Sequence, residues 1–163
     1  MAAKSTRQIK KKGPLLSAAF FCEHVLEDKS DSALSAIRII DLMTYQLDAS
    51  TPSDFPSLTN RLPIQIAALV SLKSADSPGD HELRLVMESP SGKKTVIWEK
   101  VVKLSDSPHG GFNLKLNNNF AIVAGGLFWL HVHVDGKKMA SAPLQINIAR
   151  IAAPPPQESK SDG

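Results

Sequence analysis

Residues 127–148 read LFWLHVHVDGKKMASAPLQINI. Phe128, Leu130, Val132 and Val134 alternate with Trp129, His131 and His133, and after Asp135-Gly136 a second run places Leu144, Ile146 and Ile148 on one face. Successive side chains of a strand point to opposite faces, so each run has one apolar and one more polar side. Asp-Gly between two such runs is a hairpin signal. Taking Asp135-Gly136-Lys137 as a three-residue loop pairs Val134 with Lys138, Val132 with Ala140, Leu130 with Ala142 and Phe128 with Leu144. Every inward residue but the one at the loop then meets a small or apolar partner. A two-residue loop would set Leu130 against Ser141 and turn the pattern over. The stretch therefore predicts an antiparallel hairpin with one buried face.

The same period continues on either side. RLPIQIAALVSL (61–72) puts Ile64, Ile66, Ala68, Val70 and Leu72 on one face, and HELRLVME (81–88) does so with Leu83, Leu85 and Met87. Turn signals stand between the runs at Ser77-Pro78-Gly79-Asp80, Ser89-Pro90-Ser91-Gly92 and Pro108-His109-Gly110-Gly111. A four-residue loop at Ser89–Gly92 pairs Leu85 with Val96 and Leu83 with Trp98, which buries Trp98 and leaves Trp129 on the outward face of its own strand. SALSAIRIIDLMTYQ (32–46) is ambiguous, because Ala33, Ala36, Ile37 and Ile40 would also line a helix; its three isoleucines favour strand. Short alternating strands separated by Gly/Pro turns predict an all-β fold, a two-sheet antiparallel β-sandwich of about eight strands.

KKKGPLLSAAFFCEHVLED (10–28) admits two readings. A secretion signal needs an apolar core and a small-residue cleavage site. Here Ser17 interrupts the run, Phe20 and Phe21 stand directly before Cys22, and Glu23-His24 follow. The run is also far short of the roughly 18 apolar residues of a membrane span. We read a first strand from about Ser17 to Leu26, closed by Glu27-Asp28-Lys29-Ser30-Asp31, and a cytoplasmic chain. The domain expected is 15–150, between a flexible basic arm (1–14) and a flexible proline-rich tail (151–163) whose three successive prolines cannot join a sheet. One cysteine excludes an internal disulfide, and Cys22 in an apolar strand reads as an inert buried thiol. Of the formal +3, residues 1–12 supply five positive charges (Lys4, Arg7, Lys10, Lys11, Lys12) and no acid. The tail from Ala153 supplies a net −1, which leaves −1 on the body. A nucleic-acid-binding fold carries its excess charge on a folded face. Contact with nucleic acid or anionic membrane is therefore expected only through residues 1–12.

FFCEHVLEDKSDSALSAIRIIDLM, LPIQIAALVSL, PGDHELRLVMESPSGK and GGLFWLHVHVDGKKMASAPLQI together resemble an uncharacterised bacterial family of small cytosolic β-sandwich proteins of the immunoglobulin-like type, a domain of unknown function. The resemblance runs from about Phe20 to Ile148. It implies an immunoglobulin-like sandwich and brings no catalytic residue, and a fold does not give a function.

His131-Val132-His133 places two imidazoles on one strand face, a spacing that metal sites use. A third ligand would come from His24, His81, His109 or an acid on a neighbouring strand. Trp129 shares that face, which makes Trp129, His131 and His133 a candidate partner-binding patch, unless a loop such as Thr51 to Arg61 covers the ring. Asp76-Ser77-Pro78 and Asp106-Ser107-Pro108, with Asp80 nearby, could bring carboxylates together for calcium, although turn chemistry accounts for both motifs. No nucleophile elbow, zinc-protease helix motif, P-loop or dinucleotide fingerprint occurs. The chain reads as a non-enzymatic protein-interaction or structural module with no cofactor. The alternatives are a small-ligand or metal-binding domain built on His131 and His133, and an accessory protein acting through its basic arm.

Overall fold

The structure, a computed structural model, describes residues 13–151. It contains nine strands and no helix among the described residues: β1 (Leu15–Glu27), β2 (Leu34–Ile39), β3 (Leu42–Leu47), β4 (Leu62–Lys73), β5 (Gly79–Glu88), β6 (Lys94–Leu104), β7 (Gly111–Ile122), β8 (Gly126–Val134) and β9 (Lys137–Arg150). They form a four-stranded sheet of order β2-β1-β4-β7 and a five-stranded sheet of order β3-β9-β8-β5-β6. The stretch opening at Leu15 is thus the first strand of the domain. The expected basic arm and proline-rich tail lie, from residue 12 back and from 152 on, outside the described residues.

The inner faces are those marked by the period-two pattern. Ile64, Ala68, Val70 and Leu72 of β4 meet Leu83 and Leu85 of β5 and Leu130, Val132 and Leu144 of the β8–β9 hairpin in one core, with almost no exposure. Each large aliphatic side chain buried there contributes about 1.5–3 kcal/mol relative to exposure. Trp98 is half-buried on the inner side of β6, where the edge strands β6 and β7 of the two sheets meet, with its ring centroid 6.2 Å from Phe112 of β7. Cys22 is fully buried, and that burial raises its thiol pKa.

The sheets are not wholly antiparallel, and the reason lies in residues 32–46. The segment is strand throughout but divides at Ile40-Asp41. Ile40 N–H donates to Phe21 O at 2.9 Å in the first sheet, while Asp41 O accepts from Gln145 N–H at 2.7 Å in the second. β2 therefore ends beside β1, and β3 continues beside β9 in the same direction, the one parallel pair among the described strands. This division adds the ninth strand.

β4 is covered on both faces. Its outward Ala67, Leu69 and Ser71 are buried as well as its inward set. β1 pairs with β4 only as far as Cys22, and its far end carries β2 alone. An ion pair from Glu27 to Lys115, the cross-strand neighbour of Leu69, ties that far end across the outside of β4 to β7. At the foot of the five-stranded sheet, Arg150 gathers the β3–β4 loop. Its guanidinium donates to the carbonyls of Thr51, Pro52, Ser53 and Phe55.

Candidate functional site on the outer face of the five-stranded sheet

The outer face is set by the registers of two hairpins. β8 and β9 pair Phe128 with Leu144, Leu130 with Ala142 and Val132 with Ala140, as the alternation predicts. The loop itself is shorter than expected. Asp135 (φ +50°) and Gly136 (φ +74°) form a two-residue turn with both central residues in the left-handed region, the geometry that suits the twist of a hairpin. Val134 therefore faces Lys137, and His133 faces Lys138. The count is reconciled by a bulge at Met139, which has no partner and packs against the core. Lys138, expected opposite the inward Val134, is turned to the outer face beside His133.

A second bulge works the same way. The loop between β5 and β6 runs from Ser89 to Lys93, one residue longer than expected. Val86 faces Val96, then Leu85 faces Trp98 and Leu83 faces Lys100; Ile97 is left over and packs toward the core. The expected pairs Leu85–Val96 and Leu83–Trp98 are not formed, and Val96 joins Val86 on the outer face. Bulges of this kind bend a strand and re-aim its side chains.

Val86 lies opposite His131 and Arg84 opposite His133. Arg84, Val86, Lys94, Val96, His131, His133 and Lys138 line a shallow cleft of about 280 Å³. Valines form its floor and cations its rim. His131, only 7% exposed, is held on both ring nitrogens, with Nδ1 2.7 Å from the Ser141 hydroxyl and Nε2 2.7 Å from Glu88. A carboxylate only accepts, so Nε2 carries the hydrogen that Glu88 takes. The bond to His131 holds Glu88 below the usual carboxylate range, helped by Lys94 at 3.5 Å. Burial lowers the pKa of His133, and positive charge from His131, Arg84 and Lys138 acts in the same direction, against a hydrogen bond with the Gly136 backbone.

Serine, histidine and glutamate in series have the composition of a hydrolytic triad. Ser141, however, does not line the cleft, and its hydroxyl is turned to the His131 ring. At Ser141 β9 is paired with β8 alone, since β3 joins β9 only from Gln145 onward. The chain of bonds fixes the His131 ring.

His81 lies elsewhere, at the end of the sandwich, 7% exposed. Its Nδ1 is 2.7 Å from Asp135 Oδ2 and its Nε2 2.9 Å from the Ser77 carbonyl. Both neighbours only accept, so the geometry favours a ring that carries hydrogen on both nitrogens, the imidazolium form. Burial opposes that charge, but the bonds to Asp135 and Ser77 and the charges of Asp135 and Asp80 outweigh it and raise His81. Asp135 is lowered in spite of burial by its bonds to His81 and to the Glu82 amide. His81 is thus engaged as a lock between two loops, and no group of three His, Cys, Asp or Glu suited to a metal ion occurs among the described residues. The two Asp-Ser-Pro loops do meet, but through Ser74, fully buried, whose hydroxyl donates to the Ser107 and Gly110 carbonyls. Asp76 and Asp106 stay exposed.

Trp129 stands on this outer face, half-buried between Glu88 of β5 and Pro143 of β9. Leu127, 39% exposed, precedes it on the same side. Arg150 holds residues 51–55 of the β3–β4 loop at the foot of the sheet. Of the three residues marked by the sequence, Trp129 and His133 are partly open and His131 is buried. Lys138 and Val96 were hidden from sequence reading, because two bulges decide which way they face. The one available signal was Asp135-Gly136 itself, a dipeptide suited to a two-residue turn.

No family model matches the chain, and no curated protein matches it. Among solved structures, the chain is similar to an immunoglobulin-like protein from Pseudomonas aeruginosa, with 14% identity and a TM-score of 0.40 over 84% of this chain and 98% of that one. It is also similar to part of an alkylpurine DNA glycosylase from Pseudomonas fluorescens bound to DNA containing an abasic site analogue, with 18% identity and a TM-score of 0.32 over 51% of this chain. The match spans 25% of the length of the glycosylase. Neither similarity carries an activity over to this chain.

Proposed function

We propose that the chain is a non-enzymatic interaction module whose working surface is the outer face of the five-stranded sheet. The observation that carries this reading is Trp129, a large side chain directed away from the core and flanked by Leu127 and Pro143, both open to solvent. Tryptophan on an apolar patch with a polar surround is the composition of an interface anchor. The face is rigid, because β8 is bonded along both sides and the His131 ring is held by Ser141 and Glu88. The β6 edge suits docking less well. β6 carries Lys94, Lys100 and Lys103, charges that discourage strand addition. The partner proposed is a protein, and the compartment proposed is the cytoplasm. A pull-down with wild type, Trp129→Ala and the edge variant Val101→Lys tests the surface. Loss of partner with Trp129→Ala and retention with Val101→Lys is expected; the reverse pattern would move the interface to the β6 edge.

A further inference from the structure

The cleft between the two bulges has a chemistry of its own. Its floor is Val86, 9% exposed, and Val96, 41% exposed. Around them stand Arg84, Lys94 and Lys138, with His133 between Arg84 and Lys138. Two carboxylates answer these three cations. Glu99 Oε1 lies 3.5 Å from Arg84 Nε, and Glu88 Oε2 is shared by His131 and Lys94. Lys138 has no carboxylate within ion-pair distance among the described residues. Engagement of Arg84 through Nε leaves its terminal nitrogens as a planar fork, the donor geometry that matches an oxyanion.

We propose that this cleft binds a phosphate monoester whose ester group is small and apolar. The valine floor receives the apolar body, while Arg84, Lys94 and Lys138 receive the phosphate. The charge count favours phosphate over carboxylate. Arg84, Lys94 and Lys138 against Glu88 and Glu99 leave one positive charge in excess before either imidazole is counted, and a proton on His133 adds another, which suits a phosphate dianion. Binding is therefore linked to proton uptake by His133. The volume, about 280 Å³, suits a ligand smaller than a drug-sized molecule. Both bulges are needed to build the site: without the one at Met139 Lys138 would face inward, and without the one at Ile97 Val96 would. Trp129 does not line the cleft, so this proposal and the partner reading stand or fall separately.

The test is an NMR titration of the histidine ring carbons of the full chain against pH, at constant ionic strength set with sodium chloride. Phenyl phosphate, inorganic phosphate and benzoate are the probes. Phenyl phosphate should raise the His133 midpoint and saturate. Inorganic phosphate should act in the same direction but bind several-fold more weakly, and benzoate should bind weakly if at all. Lys138→Gln should remove the saturable response, while an unchanged His81 resonance reports an intact fold. Trp129→Ala should leave it in place. A response that never saturates, or one undiminished in Lys138→Gln, would overturn the site. Benzoate binding as tightly as phenyl phosphate would overturn the phosphate assignment, and phenyl phosphate binding no tighter than inorganic phosphate would overturn the valine floor.

Discussion

Replacing Asp135 with asparagine should weaken the domain at mildly acidic pH and do little in alkali. The substitution is conservative for the backbone, since asparagine tolerates the φ of +50° found there. It keeps an oxygen that can accept the Glu82 amide and removes only the charge facing His81. A hydrogen bond between ionised groups contributes about 1.5–3 kcal/mol. The Asp135 side chain is 51% exposed, so solvent screening brings the expected loss to about 1–2 kcal/mol near pH 6. For a domain of this size that corresponds to roughly 3–8 °C in melting temperature. The pH dependence follows from the two shifts. His81 is raised, so its contribution is complete below about pH 6.5 and disappears as pH climbs through its folded value. Asp135 is lowered, so its contribution is complete above the ordinary carboxylate range and disappears only as pH falls through its folded value. His133 acts oppositely, because a lowered imidazole loses stability as pH falls. The difference between wild type and variant cancels that background. Urea unfolding from pH 5 to pH 9 should show the difference shrinking to roughly 0.5 kcal/mol in alkali, where His81 is neutral in both proteins. A difference as large at pH 9 as at pH 6 would refute the imidazolium assignment.

Leu130→Ala, at a fully buried site between the sheets, should cost about 2–5 kcal/mol in chemical denaturation; a loss under about 1 kcal/mol would mean the core is not centred on β8. Gly126→Ala should destabilise by about 1–3 kcal/mol, because Gly126 has φ +140° and an added Cβ would lie 2.8 Å from the Pro90 ring; an unchanged melting temperature would contradict the backbone geometry. Removing residues 1–12 should leave the melt unchanged and abolish whatever salt-sensitive binding to nucleic acid or anionic vesicles the full chain shows, since the body carries a net −1; binding that survives the truncation would point to a basic folded face.

Hydrophobic alternation made the inner face legible, because period two is a property of each strand alone. Phe128, Leu130, Val132 and Leu144 could be placed without knowing any neighbour. The outer face was legible only in part. Trp129 follows from the same alternation, and the expected β8–β9 register already sets His131 opposite Ser141. Glu88 does not follow, because it reaches His131 from β5, whose pairing with β8 is not a hairpin and carries no local signal. The bulges at Ile97 and Met139 are invisible to a pattern of apolar and polar letters, because the extra residue in each is apolar and packs inward. For the same reason Lys138 read as an inward position at a hairpin tip rather than as part of a cleft. The division of residues 32–46 between two sheets escaped for another reason: both halves are strand, and only the tertiary pairing of Ile40 and Asp41 separates them.

The outer face of the five-stranded sheet is tested most directly by calorimetric titration of Trp129→Ala against the protein captured by wild type. Removal of an interface anchor should weaken binding by about 2 kcal/mol, roughly thirty-fold in Kd, in a variant that melts with wild type. A variant that melts normally and binds with undiminished affinity would contradict the account.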